Sequence, residues 1–344
     1  MRRIRRVVAL AATVLAAGTA VVAASGTSFA AAPPLGALSG AFQASNGTLW
    51  TMASGNLGST GLAMRASSSP SVRTTYRGVA VAFQANTGVL WTLSNGVPRS
   101  TGLLMKHGTS PRGTGEIGDA IAFQGNDGYL WTYRDGIGGR STGLRMRAAT
   151  SPDILPDPAG GFWIAFQSDT GELWTVSPSG QARSTGRRMR AGASPTLVRD
   201  DSNNRYEVAF QSDAGELWIV DAFGAGRSIG LRMMPGTNAA IYENDFWYWN
   251  SYEVVFQTDA GDLWSGWVAP AVPGLYTRAS SGRLMRAGTS PSMVPLFRPE
   301  ATWAVAYQDN LGTLWIVDQY GNGHPYGPNL LANTSPSLSG PLLI

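Results

Sequence analysis

QSDAGELW, residues 211–218, recurs almost unchanged as QSDTGELW at 167–174 and as QTDAGDLW at 257–264. Looser copies extend the series to seven. They are anchored on Gln43, Gln84, Gln124, Gln167, Gln211, Gln257 and Gln308, at intervals of 41, 40, 43, 44, 46 and 51 residues. In every copy a Gly stands four residues after the Gln and a Leu six after. A Trp stands seven after: Trp50, Trp91, Trp131, Trp174, Trp218, Trp264 and Trp315. An aromatic residue precedes each Gln. Self-similarity at such a period is the signature of a solenoid, a propeller or an array.

Each period holds four strand-sized pieces. Around Gln211 they are Tyr206 to Gln211, Glu216 to Val220, Arg227 to Met233, and a short piece introduced in most copies by Ser-Pro. The Ser-Pro pairs are Ser69-Pro70, Ser110-Pro111, Ser151-Pro152, Ser194-Pro195, Ser290-Pro291 and Ser335-Pro336, with Asn238-Ala239 where a seventh is due. The Asp-x-Gly before the Trp is hairpin chemistry, with Gly supplying a positive φ and Asp or Asn bonding the turn backbone. Runs such as Val-Ala-Phe and Leu-Trp-Ile-Val do not alternate polar with apolar, as expected of a sheet covered on both faces. Four strands per 40–50 residues, stacked face to face, predict an all-β, seven-bladed β-propeller with four-stranded blades. The chain starts in a Phe-Gln strand and finishes on Ser335-Pro336-Ser-Leu. A composite blade built from both termini is therefore expected to close the ring, which removes exposed sheet edges.

The first thirty residues read differently. Arg2, Arg3, Arg5 and Arg6 precede an apolar stretch from Val7 to Val22 and a small-x-small Ser28-Phe29-Ala30, the pattern of a secretory signal peptide cleaved before Ala31. Residues 31–344 would then be a secreted propeller. Removing those four arginines leaves 22 of the 26 basic residues against 22 acidic ones. The basic character thus belongs to the leader and is no nucleic-acid footprint. There is no Cys, so burial and backbone pairing alone must hold the fold. No second long apolar segment points to membrane insertion.

Written as Gln-x-Asp/Asn-x-Gly-x-Leu-Trp, the unit resembles the Asp-box hairpin, with matches at Asp169, Gly171 and Trp174, at Asp213, Gly215 and Trp218, and at Asp259, Gly261 and Trp264. Gln stands for the Ser of that motif and Leu for its Thr. Over most of the chain, Val-Ala-Phe-Gln-Ala-Asn-Thr-Gly-x-Leu-Trp followed by Ser-Thr-Gly-Leu-x-Met and Thr-Ser-Pro resembles secreted actinobacterial repeat proteins. These are akin to tectonin-like and bacterial fucose-binding seven-bladed propeller lectins. The resemblance implies binding of glycans or glycoconjugates at several equivalent sites.

The residues allow two readings at most positions. The seven Trp and seven Gln fit either packing and backbone bonding or contacts to a sugar. After the Met of the Leu-x-Met strand come Arg65, Lys106, Arg147, Arg190 and Arg286, either a ring of cations for sugar hydroxyls and acidic glycans or a solvated outer strand. Asn244 to Asn250 breaks the repeat. Its Trp247, Tyr248 and Trp249 suit a carbohydrate platform as well as an enlarged blade corner. The one-off run Trp267 to Ser280 reads as a surface loop. With two His, no Cys, and Gly-x-Ser-x-Gly present only at 139–143 and 226–230, inside the recurrent outer strand rather than at a strand-to-helix elbow, neither a metal site, a cofactor nor a catalytic residue is expected. The expected function is a secreted, lectin-like module without nucleic-acid partners. The alternatives are a glycosidase-like hydrolase with an axial centre and a protein–protein platform. Oligomeric state is not legible in the sequence.

Overall fold

The computed structural model describes residues 38–75, 78–114, 120–200, 205–243, 251–268, 279–296, 302–318 and 321–340. Residues 1–30, expected from sequence to be a signal peptide, Trp247, Tyr248 and Trp249, and most of the 267–280 insertion lie outside these residues. The described residues hold 28 strands in seven antiparallel sheets of four, and no helix. The seven-bladed propeller expected from the repeat is what forms.

From axis to rim, blade I is Ser337–Ser339, Ser39–Gln43, Thr48–Ala53 and Asn56–Ala63. Blade II is Ser71–Thr75, Gly78–Gln84, Val89–Ser94 and Val97–Leu104. Blade III is Arg112–Gly113, Ala120–Gln124, Tyr129–Arg134 and Gly138–Arg145. Blade IV is Asp153–Pro156, Phe162–Gln167, Glu172–Val176 and Ala182–Arg188. Blade V is Thr196–Asp200, Arg205–Gln211, Glu216–Asp221 and Gly226–Arg232. Blade VI is Ala240–Glu243, Tyr252–Gln257, Asp262–Val268 and Ala279–Leu284. Blade VII is Ser292–Leu296, Thr302–Gln308, Leu314–Asp318 and Gly323–Tyr326.

Blade I is composite, as expected: Ser39, Gly40 and Ala41 pair with Ser339, Leu338 and Ser337. Each innermost strand touches the innermost strand of the next blade, and the circuit closes from Ser337–Ser339 onto Ser71–Thr75. Hydrogen bonds follow the same circuit. The N–H of Ser69 donates to Oγ of Ser110, and so on through Ser151, Ser194, Asn238, Ser290 and Ser335 back to Ser69, each bond at 2.7–2.9 Å. Asn238 fills the place of the missing Ser with its amide oxygen.

The local chemistry of the repeat explains its invariant letters. The Gln-to-Trp hairpin is a three-residue loop: in blade I, Ala44 N–H donates to Thr48 O and Gly47 N–H to Ala44 O. Such a loop needs its last residue left-handed, and the seven repeat glycines have φ between +84° and +95°. Ser-Thr-Gly builds a β-bulge in the outer strand. Its glycines, Gly61, Gly102, Gly143 and Gly186, are left-handed. The Thr hydroxyl donates at 2.8 Å to the carbonyl of the Leu before the Trp. The two faces of each blade are both buried. Leu49 packs forward with blade II in the cluster of Val72, Val81 and Phe83, whereas Phe42 and Trp50 pack backward with Ala304, Leu314 and Ile316 of blade VII.

The loop after each Met turns through one left-handed residue. It is Gly at 108, 192, 236 and 288, but Ser67, Ala149 and Asn333 in three copies, at φ +62°, +59° and +60°. A β-carbon is strained there. Ala149→Gly should therefore stabilise the fold by about 1 kcal/mol and raise the thermal midpoint by about 2 °C. A lower midpoint would refute the strain argument.

Candidate functional site

In each blade the first and third strands run one way and the second and fourth the other. The Gln-to-Trp hairpins, the loops after Met and the Ser-Pro turns therefore share one face. On that face each blade grips the next through the backbone. The N–H of the residue after Met donates to the carbonyl of the next blade's Gln at 2.9–3.0 Å, from Arg65 to Gln84 round to Leu331 to Gln43. This places Arg65, Lys106, Arg147, Arg190 and Arg286 at five of the seven blade junctions, with Met234 and Leu331 at the other two.

All five cations are half-buried. Four guanidiniums lie on the glycine of the next hairpin: a Cβ built on Gly88, Gly171, Gly215 or Gly312 would come within 2.8–3.1 Å of Nη1 of Arg65, Arg147, Arg190 or Arg286. The hairpin glycine is thus needed for its φ and for the space above it. Among the described residues, none of the five side chains has a hydrogen-bond or carboxylate partner. The arginines just before Met behave differently. Arg145 stacks on Tyr129 at 4.9 Å, while Arg188 and Arg232 reach Asp213 and Asp259 of the next blade at 3.9 and 3.4 Å.

Those contacts also revise the Asp-box expectation. Asp213 caps its own turn through Ala214 N–H, but Asp213 and Asp259 also pair with the preceding blade. In other copies the turn is capped by Asn46, Asp127, Ser168 or Asp309, one position earlier or later than the motif's Asp.

The repeated Gln and Trp both have partners within the fold. Every Gln is buried, and its amide donates at 2.9–3.1 Å to the carbonyl of its own blade's Met, or of Leu330 in blade VII. The Phe before the Gln stacks on the Trp across the strand pair in six blades, with ring centroids 5.1–6.4 Å apart. The other side of the Trp is roofed by the preceding blade. Leu62, Leu103, Leu144 and Leu231 cover the next Trp, and Arg187 and Arg283 do so by cation–π contact at 4.9 and 4.5 Å. The Leu-to-Arg exchange at that position is the one sequence signal that could have disclosed this contact.

Two concavities were not expected from sequence. The junction of blades I and II holds a cavity of about 480 Å³, lined by Leu62, Val79, Leu93 and Pro98 with Thr51, Ser59, Thr60 and Asn95. At the junction of blades IV and V a hairpin fills the corresponding space: Thr175 Oγ1 donates to Ala222 O, and a Cβ on Gly224 would strike Thr185 O at 2.4 Å. The axial mouth on the cationic face is a cavity of about 70 Å³ lined by the Ser-Pro turns, Asn238, Arg112 and Ser292. No carboxylate lines this mouth among the described residues, so the paired acids a hydrolase would need are not placed there.

Carboxylates gather instead within blade V. Glu207 stands directly opposite Asp221, with Asp200 on the adjoining strand. Burial, then Asp221 and Asp200, push the Glu207 carboxyl up to about 8, against the opposing pull of Arg205. The folded chain therefore holds a proton that the unfolded chain releases above the ordinary carboxylate value. Stability is full below that value and declines as pH rises through about 8. Glu207→Gln should flatten this decline and leave the variant about 2 kcal/mol more stable than the parent at alkaline pH. Denaturant melts at acidic and alkaline pH would show it. Parallel pH profiles would contradict a Glu207 carboxyl kept protonated by burial and neighbouring carboxylates.

No protein-family model matches the chain, and no curated protein matches it. Solved structures do. The lectin BP39L from Burkholderia pseudomallei is 16% identical, with TM-score 0.63 over 87% of this chain and 96% of that one. BBS1N in complex with ARL6DN is 10% identical, with TM-score 0.52 over 79% and 85%. A variant of the Aleuria aurantia lectin in complex with alpha-methyl-L-fucoside is 11% identical, with TM-score 0.50 over 77% and 94%. At these identities the likeness is one of fold, shared by lectins and by a subunit of a protein complex alike.

Proposed function

We propose that the chain is an exported, lectin-like protein that binds glycans at repeated sites along the blade junctions of its cationic face. The observation that carries the reading is the set of half-buried, unpartnered cations at Arg65, Lys106, Arg147, Arg190 and Arg286, each held at an equivalent place by the same backbone bond. A cation fixed at a surface cleft donates to hydroxyl or acidic oxygens. Seven near-equal junctions favour several modest sites whose binding strengthens on a polyvalent surface. The lectins with the same fold support this reading, as does an axial mouth without acids. The groove between blades I and II, apolar with a polar rim, has the character of a sugar pocket.

A glycan array probed with the purified protein tests the proposal: binding to one or more glycans is expected, and silence across the array would refute it. Export is tested separately by N-terminal sequencing of protein recovered from culture medium, which should begin at Ala31. A start at Met1 would refute cleavage of the leader.

A further inference from the structure

The five cations are not spread evenly around the ring. Arg65, Lys106, Arg147 and Arg190 occupy four consecutive junctions, from blades I/II to IV/V. Met234 and Leu331 interrupt the series on either side of Arg286. Resting on the glycan-binding reading above, we propose that the preferred ligand is a linear polyanionic polysaccharide, bearing carboxylates or sulfates along its length and lying on this arc of the rim.

A half-buried guanidinium has lost part of its hydration, and without a carboxylate partner nothing returns it. Three such groups, with the Lys106 ammonium between the first two, form in succession an electrostatic surface matched by a ligand whose charges also recur. At two of the junctions a second guanidinium stands near. A Cβ on Gly171 would lie 2.8 Å from Arg147 Nη1 and 3.8 Å from Arg188 Nη2; one on Gly215 would lie 3.0 Å from Arg190 Nη1 and 3.8 Å from Arg232 Nη2. Two guanidinium groups converging on one spot suit a carboxylate or sulfate. Asp213, 3.9 Å from Arg188, and Asp259, 3.4 Å from Arg232, offset part of this charge, but neither pairs with Arg147 or Arg190. A neutral sugar has no need of such an arrangement. Single-stranded nucleic acid shares the negative charge but binds through stacking on exposed aromatic faces. Here the repeated Trp faces are roofed by Leu62, Leu103, Leu144 and Arg187.

The test is a calorimetric titration of the protein with polygalacturonate oligomers of increasing length, with dextran sulfate, and with neutral dextran, at low and high salt. Affinity for the two anionic polymers is expected to rise with length and fall with salt, with neutral dextran far weaker. The double variant Arg147→Gln, Arg190→Gln should lose roughly 100-fold, about tenfold per charge-assisted contact. Arg99→Gln, an exposed cation at the far end of Val97–Leu104 and outside the junction series, should lose less than about threefold. The thermal midpoint of each variant checks that it folds, and Arg147→Lys with Arg190→Lys should restore most of the affinity. Equal binding of neutral dextran, unaffected by the double variant, would overturn the polyanion proposal and leave the glycan reading standing. A glycan array silent for neutral and acidic saccharides alike would overturn both. Tighter binding of single-stranded oligonucleotide through the same arginines would overturn the choice of polysaccharide.

Discussion

Deleting residues 335–344 should unfold the protein or drive it into aggregates, because this segment closes the ring from both sides. Ser337–Ser339 is the innermost strand of blade I, and Leu338 is buried between blades VII and I. Ser335 accepts from Ser290 N–H and donates its own N–H to Ser69 Oγ. Ser337 and Ser339 accept from Val72 and Thr74 N–H, and Leu338 N–H donates to Ser292. Their loss exposes the edge of Ser39–Gln43 in blade I and the inner strands of II and VII, and removes Leu338 from the cluster that covers Leu38 and Phe42. The expected cost exceeds about 5 kcal/mol, comparable with the whole stability of a typical domain. The milder Leu338→Ala should cost about 3 kcal/mol while the chain still folds. A truncated chain that melts cooperatively at the parent temperature would show that the terminal strand does not close the ring.

Gln211→Leu should be the most damaging exchange that conserves side-chain size. Gln211 is fully buried. Its amide donates to Met233 O at 2.9 Å and Met234 O at 3.2 Å, and its oxygen accepts from Gly236 N–H at 3.1 Å. Leu satisfies none of these and leaves the buried Met233 carbonyl and two half-buried backbone groups without their partner, for a loss of about 3 kcal/mol. Gln84→Leu is the comparison, since the Gln84 oxygen has no protein partner and only its amide nitrogen is used. It should lose less. Equal and small losses at both positions, measured by denaturant melts, would show that the repeated Gln is not a structural bond.

The architecture was legible because the repeat is written in backbone requirements. Gly four residues after each Gln marks a left-handed turn, Ser-Pro marks the entry to an axial strand, and non-alternating apolar runs mark a doubly covered sheet. Composite closure was legible from the order of strand-sized pieces at the two ends. Ser-Thr-Gly was visible as a recurrent string, but its bulge depends on a carbonyl in the neighbouring strand. The axial ring of hydroxyls was equally hidden, since six of its bonds span 41–52 residues, the closing one spans 266, and Asn238 serves in it without resembling Ser. The five cations were legible as a periodic set. Their lack of partners was not, because it depends on Asp213 and Asp259 turning to Arg188 and Arg232 instead. Glu207 gave no sign, since its raised carboxyl depends on burial in the blade and on Asp221 and Asp200, which only strand pairing brings near it. The aromatic run around Trp247 to Trp249 stays an expectation from sequence.

The account stands on equivalent junctions acting as repeated glycan sites. Its most direct test is the stoichiometry of the shortest saccharide that binds, counted by native mass spectrometry and by calorimetry on the intact propeller. More than one equivalent per chain is predicted, reduced when Arg147 and Arg190 are replaced by Gln. A single equivalent unaffected by both substitutions would contradict it.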